Sequence, residues 1–205
     1  MSAEYRLAPE SPYPAALDDV SAVWKWMRVN AAGLGVDPDR VAVGGESAGG
    51  GIAASLVQRL HDTGGPEPVP QWLFAPMLDD RTAARRELDE LDHFVWNNRS
   101  NRFGWTSYLG QTAGAAEVPA YAVPARRADL TGLPPAWLYA GDIELFHDEI
   151  VEYAGRLRTA GVDTTLTIVP GAAHGFENWA ATTPLAAALL DEARIWLDGR
   201  LRERA

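Results

Sequence analysis

Residues 45–49 read Gly45-Glu46-Ser47-Ala48-Gly49 and follow directly on the short apolar run VAVGG at 41–45. A sharp strand-to-helix turn at such a site lifts the serine hydroxyl above the carboxyl end of a sheet. Glycines two before and two after the serine remove Cβ atoms that would collide in so tight a turn. Ser47 then stands at a helix N-terminus, whose free N–H groups favour negative charge developing nearby, and the N–H of Ala48 is the nearest oxyanion donor. The plainer reading is a Gly-rich helix start with a serine cap. The two readings part on whether a base and an acid accompany the serine.

A serine hydroxyl is inert until a base takes its proton, and histidine is the usual base near neutral pH. Histidine occurs at 61, 93, 147 and 174. His61 falls at a predicted helix C-terminus, where the helix dipole accounts for it. His93 and His147 sit in charged neighbourhoods and are expected to be solvated. His174 follows the predicted strand 164–169 in a loop flanked by Gly171 and Gly175, at the same edge of the sheet as Ser47. It is the candidate base. A carboxylate must then hold the imidazole in the right tautomer and stabilise its positive charge. The run AWLYA leads into Gly141-Asp142-Ile143-Glu144-Leu145, which offers Asp142 and Glu144 on one face by alternation. Spacing does not choose between them. The chain order serine, acid, histidine is the one α/β-hydrolases use. Asp148 and Glu149 are read as first-turn helix acids.

The elements that must position these groups alternate along the chain. Residues 1–6 read as the tail of a strand, and Pro14 opens a helix running to about Asn30. A turn at 33–39 precedes the short buried strand 41–45, a small-residue helix from about Ala48 to His61, a loop at 64–70 and a strand at 71–75. The stretch 79–128 is polar and irregular, with helical pieces around 84–92 and 99–109, and reads as a pocket-side insertion. Strand 136–140, helix 147–160, strand 164–169 and a last helix from about 184 to 202 complete the pattern. Single helices between strands predict an α/β fold with a mostly parallel sheet flanked by helices on both faces. The 205 residues are expected to form one catalytic domain, 1–205, and hydrophobic residues at 47% with charged residues at 22% are the balance of a globular chain. A net charge of −10 repels phosphate backbones and anionic lipid, which argues against nucleic-acid and membrane partners. The absence of cysteine excludes a thiol nucleophile and thiolate metal sites, and no cofactor is called for. No export signal or membrane span is visible, so a cytoplasmic protein is expected.

Three segments together, YRLAPESPYPAALDDV at 5–20, GGESAGG at 44–50 and ELFHDEIVEYAGRLRTAGV…VPGAAHGF at 144–176, resemble the bacterial hormone-sensitive-lipase-like (family IV) esterases. These are α/β-hydrolases that cleave short acyl esters. The likeness runs over essentially the whole chain and extends to APMLDD at 75–80 and NRFGWTSYLG at 101–110, similar to the segments beneath and beside the family's acyl pocket. The resemblance implies a small-molecule acyl ester as substrate and Ser47 as nucleophile with His174 as base. In the family the catalytic aspartate stands four residues before an Asp-Glu pair, which here is Asp148-Glu149, so the slot falls on Glu144 and departs from the usual aspartate. Asp142 remains the alternative. Glu46, where the family commonly has Asp or Glu, is read as a scaffold group orienting neighbouring loops. Trp96, Phe103, Trp105 and Tyr108 are the candidates for lining the acyl pocket, against the plainer reading of such aromatics as ordinary core.

The same resemblance marks departures. The family's His-Gly-Gly-Gly loop, which supplies further oxyanion donors upstream of YRLAPE, has no counterpart in the sequence, nor do the N-terminal cap helices and the first three strands. The chain is therefore expected to be N-terminally truncated and weakly active or inactive by itself. In the family's strand order, 1-2-4-3-5-6-7-8, strand three lies beside the segment matching 41–45, so that strand is expected to present an unprotected edge open to a second copy. Two other readings stand beside the esterase: a non-catalytic remnant or edge-pairing interaction module, and an amide, formamide or lactone hydrolase using the same triad.

Overall fold

The computed structural model describes residues 1–202. Four parallel strands, β1 (Val43–Glu46), β2 (Gln71–Phe74), β3 (Ala136–Gly141) and β4 (Thr164–Val169), lie side by side in chain order. Their registers align Gly45 with Leu73, Leu73 with Leu138, and Leu138 with Leu166. The central strand β3 is buried along its whole length, as a parallel strand covered on both faces must be. Its side chains alternate between two cores. Leu138 and Ala140 meet Val57 of α3 (Ser47–Thr63) and Ile150, Tyr153 and Leu157 of α6 (His147–Thr159). Trp137 and Tyr139 face the other way, onto Ala186, Leu189 and Ala193 of α8 (Pro184–Arg202). Helix α1 (Ala15–Val29) packs on the outer side of α3 through Leu17, Trp24 and Met27 against Leu56 and Leu60. Helices thus cover both faces of a parallel sheet, the predicted fold class.

The irregular stretch 79–128 holds α4 (Asp80–Ala84), a 3₁₀ turn at Arg86–Glu90, α5 (Asn98–Leu109) and a 3₁₀ turn at Pro124–Arg126. The piece expected around 84–92 is therefore split in two, because Arg85 is extended at φ −74°, ψ 94°. A short helix α2 (Ala31–Leu34) occupies the start of the expected turn at 33–39, and α7 (Phe176–Trp179) follows His174.

Two expectations need correction. Residues 1–6 form no strand: they have no ladder partner among the described residues, and the N–H of Arg6 donates instead to the Asp19 carboxylate at 2.9 Å. The run 41–45, read from composition as a buried strand, gives β1 only at 43–46, and it alternates half-buried and exposed because among the described residues it has only β2 beside it, the edge position that the resemblance implied. A groove of about 450 Å³ opens there between β1 and α1, lined by Val23, Trp24, Met27, Val43 and Ile52. No helix of the described residues is long and apolar enough to cross a membrane.

Candidate active site

Ser47 caps the turn between β1 and α3 with φ at +53°, in the left-handed region that an L-residue rarely adopts. The surrounding glycines make that turn feasible, though not in the expected way. A Cβ at Gly45 would lie 2.3 Å from the carbonyl oxygen of Gly49, whereas one at Gly49 would meet nothing nearer than the Tyr5 hydroxyl at 3.9 Å. Tight positions are Gly44, where a Cβ would lie 2.7 Å from the Trp72 carbonyl oxygen, Gly45, Gly50 and Gly51, the last two pressed against Pro76 and Met77. The carbonyl of Ser47 accepts the N–H of Met77 at 2.9 Å, which pins the elbow to the loop leaving β2. Ala48 stands in the first turn of α3, where helix geometry leaves its N–H without an intrahelical acceptor.

His174 stands in the turn after β4 and is 6% exposed. Its Nε2 lies 2.9 Å from Ser47 Oγ and its Nδ1 lies 2.6 Å from Glu144 Oε2. The Glu144 side chain is fully buried, and its other oxygen accepts the N–H of Gly141 at 2.9 Å. A carboxylate that only accepts at Nδ1 fixes the tautomer: Nδ1–H donates to Glu144, which leaves Nε2 to accept the Ser47 hydroxyl proton. Phe146 meets the imidazole edge-on, with ring centroids 5.1 Å apart at 86°, and holds its plane. Asp142 is turned away, its Oδ1 accepting the N–H of Gly171 at 2.6 Å. Two residues of separation placed both acids at the strand end, but the tight turn 141–146 sends only Glu144 inward.

Glu46 bridges the serine turn to the histidine loop. Its Oε1 accepts Nδ2 of Asn178 at 2.6 Å and lies 2.9 Å from where a Cβ on Gly175 would sit. The other histidines stand apart from the site. His61 Nδ1 contacts Glu67 at 3.1 Å and His147 Nδ1 contacts Asp148 at 3.0 Å. His93 is half-buried with its Nδ1 enclosed, contrary to the expected solvation.

An apolar cavity of about 240 Å³ adjoins Ala48. Trp96, Trp105 and Tyr108 line it. Phe103 does not: its side chain is 69% exposed. On α5, positions 104, 105 and 108 share the inward face and 103 falls on the opposite side. Tyr5, Ile52, Met77 and Gly104 also line it, and these the aromatic count alone did not single out. Burial pushes the Tyr108 phenol above its ordinary range, so it stays protonated.

A serine, a histidine and a carboxylate in contact at a strand-to-helix elbow mark a fold as well as a site. Residues 1–178 match the α/β hydrolase fold family. The chain belongs to that family. Carboxylesterase NlhH of Mycobacterium tuberculosis is 36% identical to this α/β hydrolase over 197 residues, covering 91% of this chain and 59% of that protein. A solved bacterial heroin esterase is 38% identical with a TM-score of 0.91, covering 97% of this chain and 63% of that structure. An esterase described as a member of the bacterial hormone-sensitive lipase family is 29% identical with a TM-score of 0.82, covering 97% of this chain and 64% of that structure. The likeness to hormone-sensitive-lipase-like esterases drawn from the motifs therefore holds. This α/β hydrolase spans between 59% and 64% of the lengths of these relatives.

Proposed function

We propose that this α/β hydrolase hydrolyses short-chain carboxylic esters through an acyl-enzyme on Ser47. The observation that carries the reading is the continuous contact Ser47 Oγ–His174 Nε2 at 2.9 Å and His174 Nδ1–Glu144 Oε2 at 2.6 Å. Ser47 Oγ attacks the ester carbonyl while His174 Nε2 takes its proton, and the buried Glu144 carboxylate stabilises the imidazolium that results. The oxyanion of the tetrahedral intermediate lies against the N–H of Ala48. The C–O bond to the alcohol breaks as His174 returns the proton to the leaving oxygen. Water, deprotonated by the same nitrogen, then attacks the acyl-serine and releases the acid. The apolar cavity beside Ala48 accommodates the acyl group, and at about 240 Å³ it suits a small one better than a long chain.

Names of the relatives, carboxylesterase and esterase among them, support the same chemistry. The N–H of Ala48, in the first turn of α3, supplies one backbone donor of the oxyanion site. Turnover of p-nitrophenyl butyrate is expected to depend on the histidine. His174→Ala should lower kcat by roughly 10³-fold or more. Turnover that survives that substitution would contradict the mechanism.

A further inference from the structure

One buried carboxyl takes no part in the proton path. Glu149 of α6 is 5% exposed, and its Oε1 accepts the N–H groups of Leu78 and Asp79 at 2.7 and 3.1 Å. Its Oε2 hydrogen-bonds the hydroxyl of Thr82. All three partners belong to the segment that leaves β2, turns at Ala75 with φ +38° and runs into α4.

That segment is the bed of the serine elbow. The N–H of Met77 holds the Ser47 carbonyl at 2.9 Å. A Cβ on Gly50 would lie 2.8 Å from Pro76 Cβ, and one on Gly51 would lie 2.1 Å from the Met77 carbonyl oxygen. The first turn of α3 therefore rests on Pro76 and Met77 with no clearance, and a shift of this loop is a shift of Ser47. The helix that carries Glu149 begins just after Phe146, whose ring lies against His174. One rigid element thus contacts the nucleophile's bed through Glu149 and the imidazole through the residue before its first turn.

We infer that Glu149 is a positioning residue for the nucleophile: by clamping the 77–82 segment it sets the distance between Ser47 Oγ and His174 Nε2. This rests on the reading of Ser47 as nucleophile. Without the carboxyl, two buried N–H donors lose their acceptor, and the loop must relax to find others. Burial pushes the Glu149 carboxyl up to about 8, so near neutral pH it is the uncharged acid. Glutamine reproduces that form: its carbonyl oxygen accepts both N–H groups and its amide donates to Thr82. Asparagine or alanine does not.

The test compares the wild-type chain with E149A and E149Q, following covalent labelling of Ser47 by a fluorophosphonate with intact-mass detection, and kcat and KM on p-nitrophenyl butyrate. Expected for E149A is a labelling rate and kcat lower by about 10²-fold, the scale of a misplacement of about an ångström, with little change in KM. E149Q should recover most of both. If E149A does not fold, E149D, one methylene too short to reach all three partners, replaces it and should show the same loss. Wild-type rates in a folded E149A or E149D overturn the inference, as does an E149Q variant that falls as far as E149A. A wild-type chain whose Ser47 does not label overturns the nucleophile reading and this inference with it.

Discussion

The residues that carry the chemistry are separated by environment more than by type. Glu144 and Asp142 leave the same strand end, yet one is sealed against His174 and the other ties Gly171 in an exposed loop. Glu144→Gln should therefore lower kcat by about 10²–10⁴, by stabilising the wrong tautomer, while Asp142→Asn leaves kcat within a few-fold. Equal losses in the two variants, read on p-nitrophenyl butyrate, would contradict the assignment. Residue-scale burial also sets a pH dependence. Burial pushes the Glu149 carboxyl from its ordinary 4.5 up to about 8, and it raises Glu177 beneath the Tyr139 hydroxyl as well. As pH rises above about 4.5 the unfolded chain ionises these groups while the folded chain holds their protons. The stability they contribute is full below that pH and lost progressively up to about 8 for Glu149. Melting temperature should fall through this window, and the slope should be shallower in E149Q than in wild type. Parallel slopes would show that Glu149 does not titrate there.

At the scale of elements, the alternation of strand and helix was legible because each long helix repeats apolar residues at helical spacing and each strand is a short apolar run between breakers. β4 and α8 match their predicted spans, 164–169 and 184–202. What the pattern misplaced depends on neighbours that no local signal encodes. Residues 1–6 have strand-like sequence but no adjacent strand among the described residues to share a ladder, and Phe103 has the chemistry of a pocket aromatic on the wrong side of α5. Glu149 was readable as a first-turn acid, yet its spacing of four to Tyr153 and eight to Leu157 puts it on the buried stripe of α6, a signal that periodicity does carry. The elbow glycines show the same limit. Gly45 and Gly49 look equivalent in sequence, but only Gly45 faces backbone at contact distance. Gly45→Ala should destabilise the fold by about 1–3 kcal/mol and depress labelling of Ser47, whereas Gly49→Ala should leave both nearly unchanged. Denaturant midpoints for the two variants decide the point, and equal midpoints would place the strain elsewhere.

At the scale of the molecule, a parallel sheet delivers the ends of β1, β3 and β4 to one side, so three loops distant in sequence converge at their carboxyl ends on a single imidazole. The chain covers 59% of carboxylesterase NlhH, and the groove along β1 lies on the open side of the sheet. Among the described residues, the contacts around serine, histidine and acid run among β1, α3, the 75–82 segment, the β3–α6 turn, the loop after β4 and α7. The central claim, that Ser47 is a nucleophile activated by His174, is tested most directly by intact-mass spectrometry after exposure to a fluorophosphonate. One adduct on the wild-type chain, mapped to Ser47 and absent from both Ser47→Ala and His174→Ala, is the result expected. An unmodified wild-type chain, or an adduct that persists in Ser47→Ala, would contradict the account.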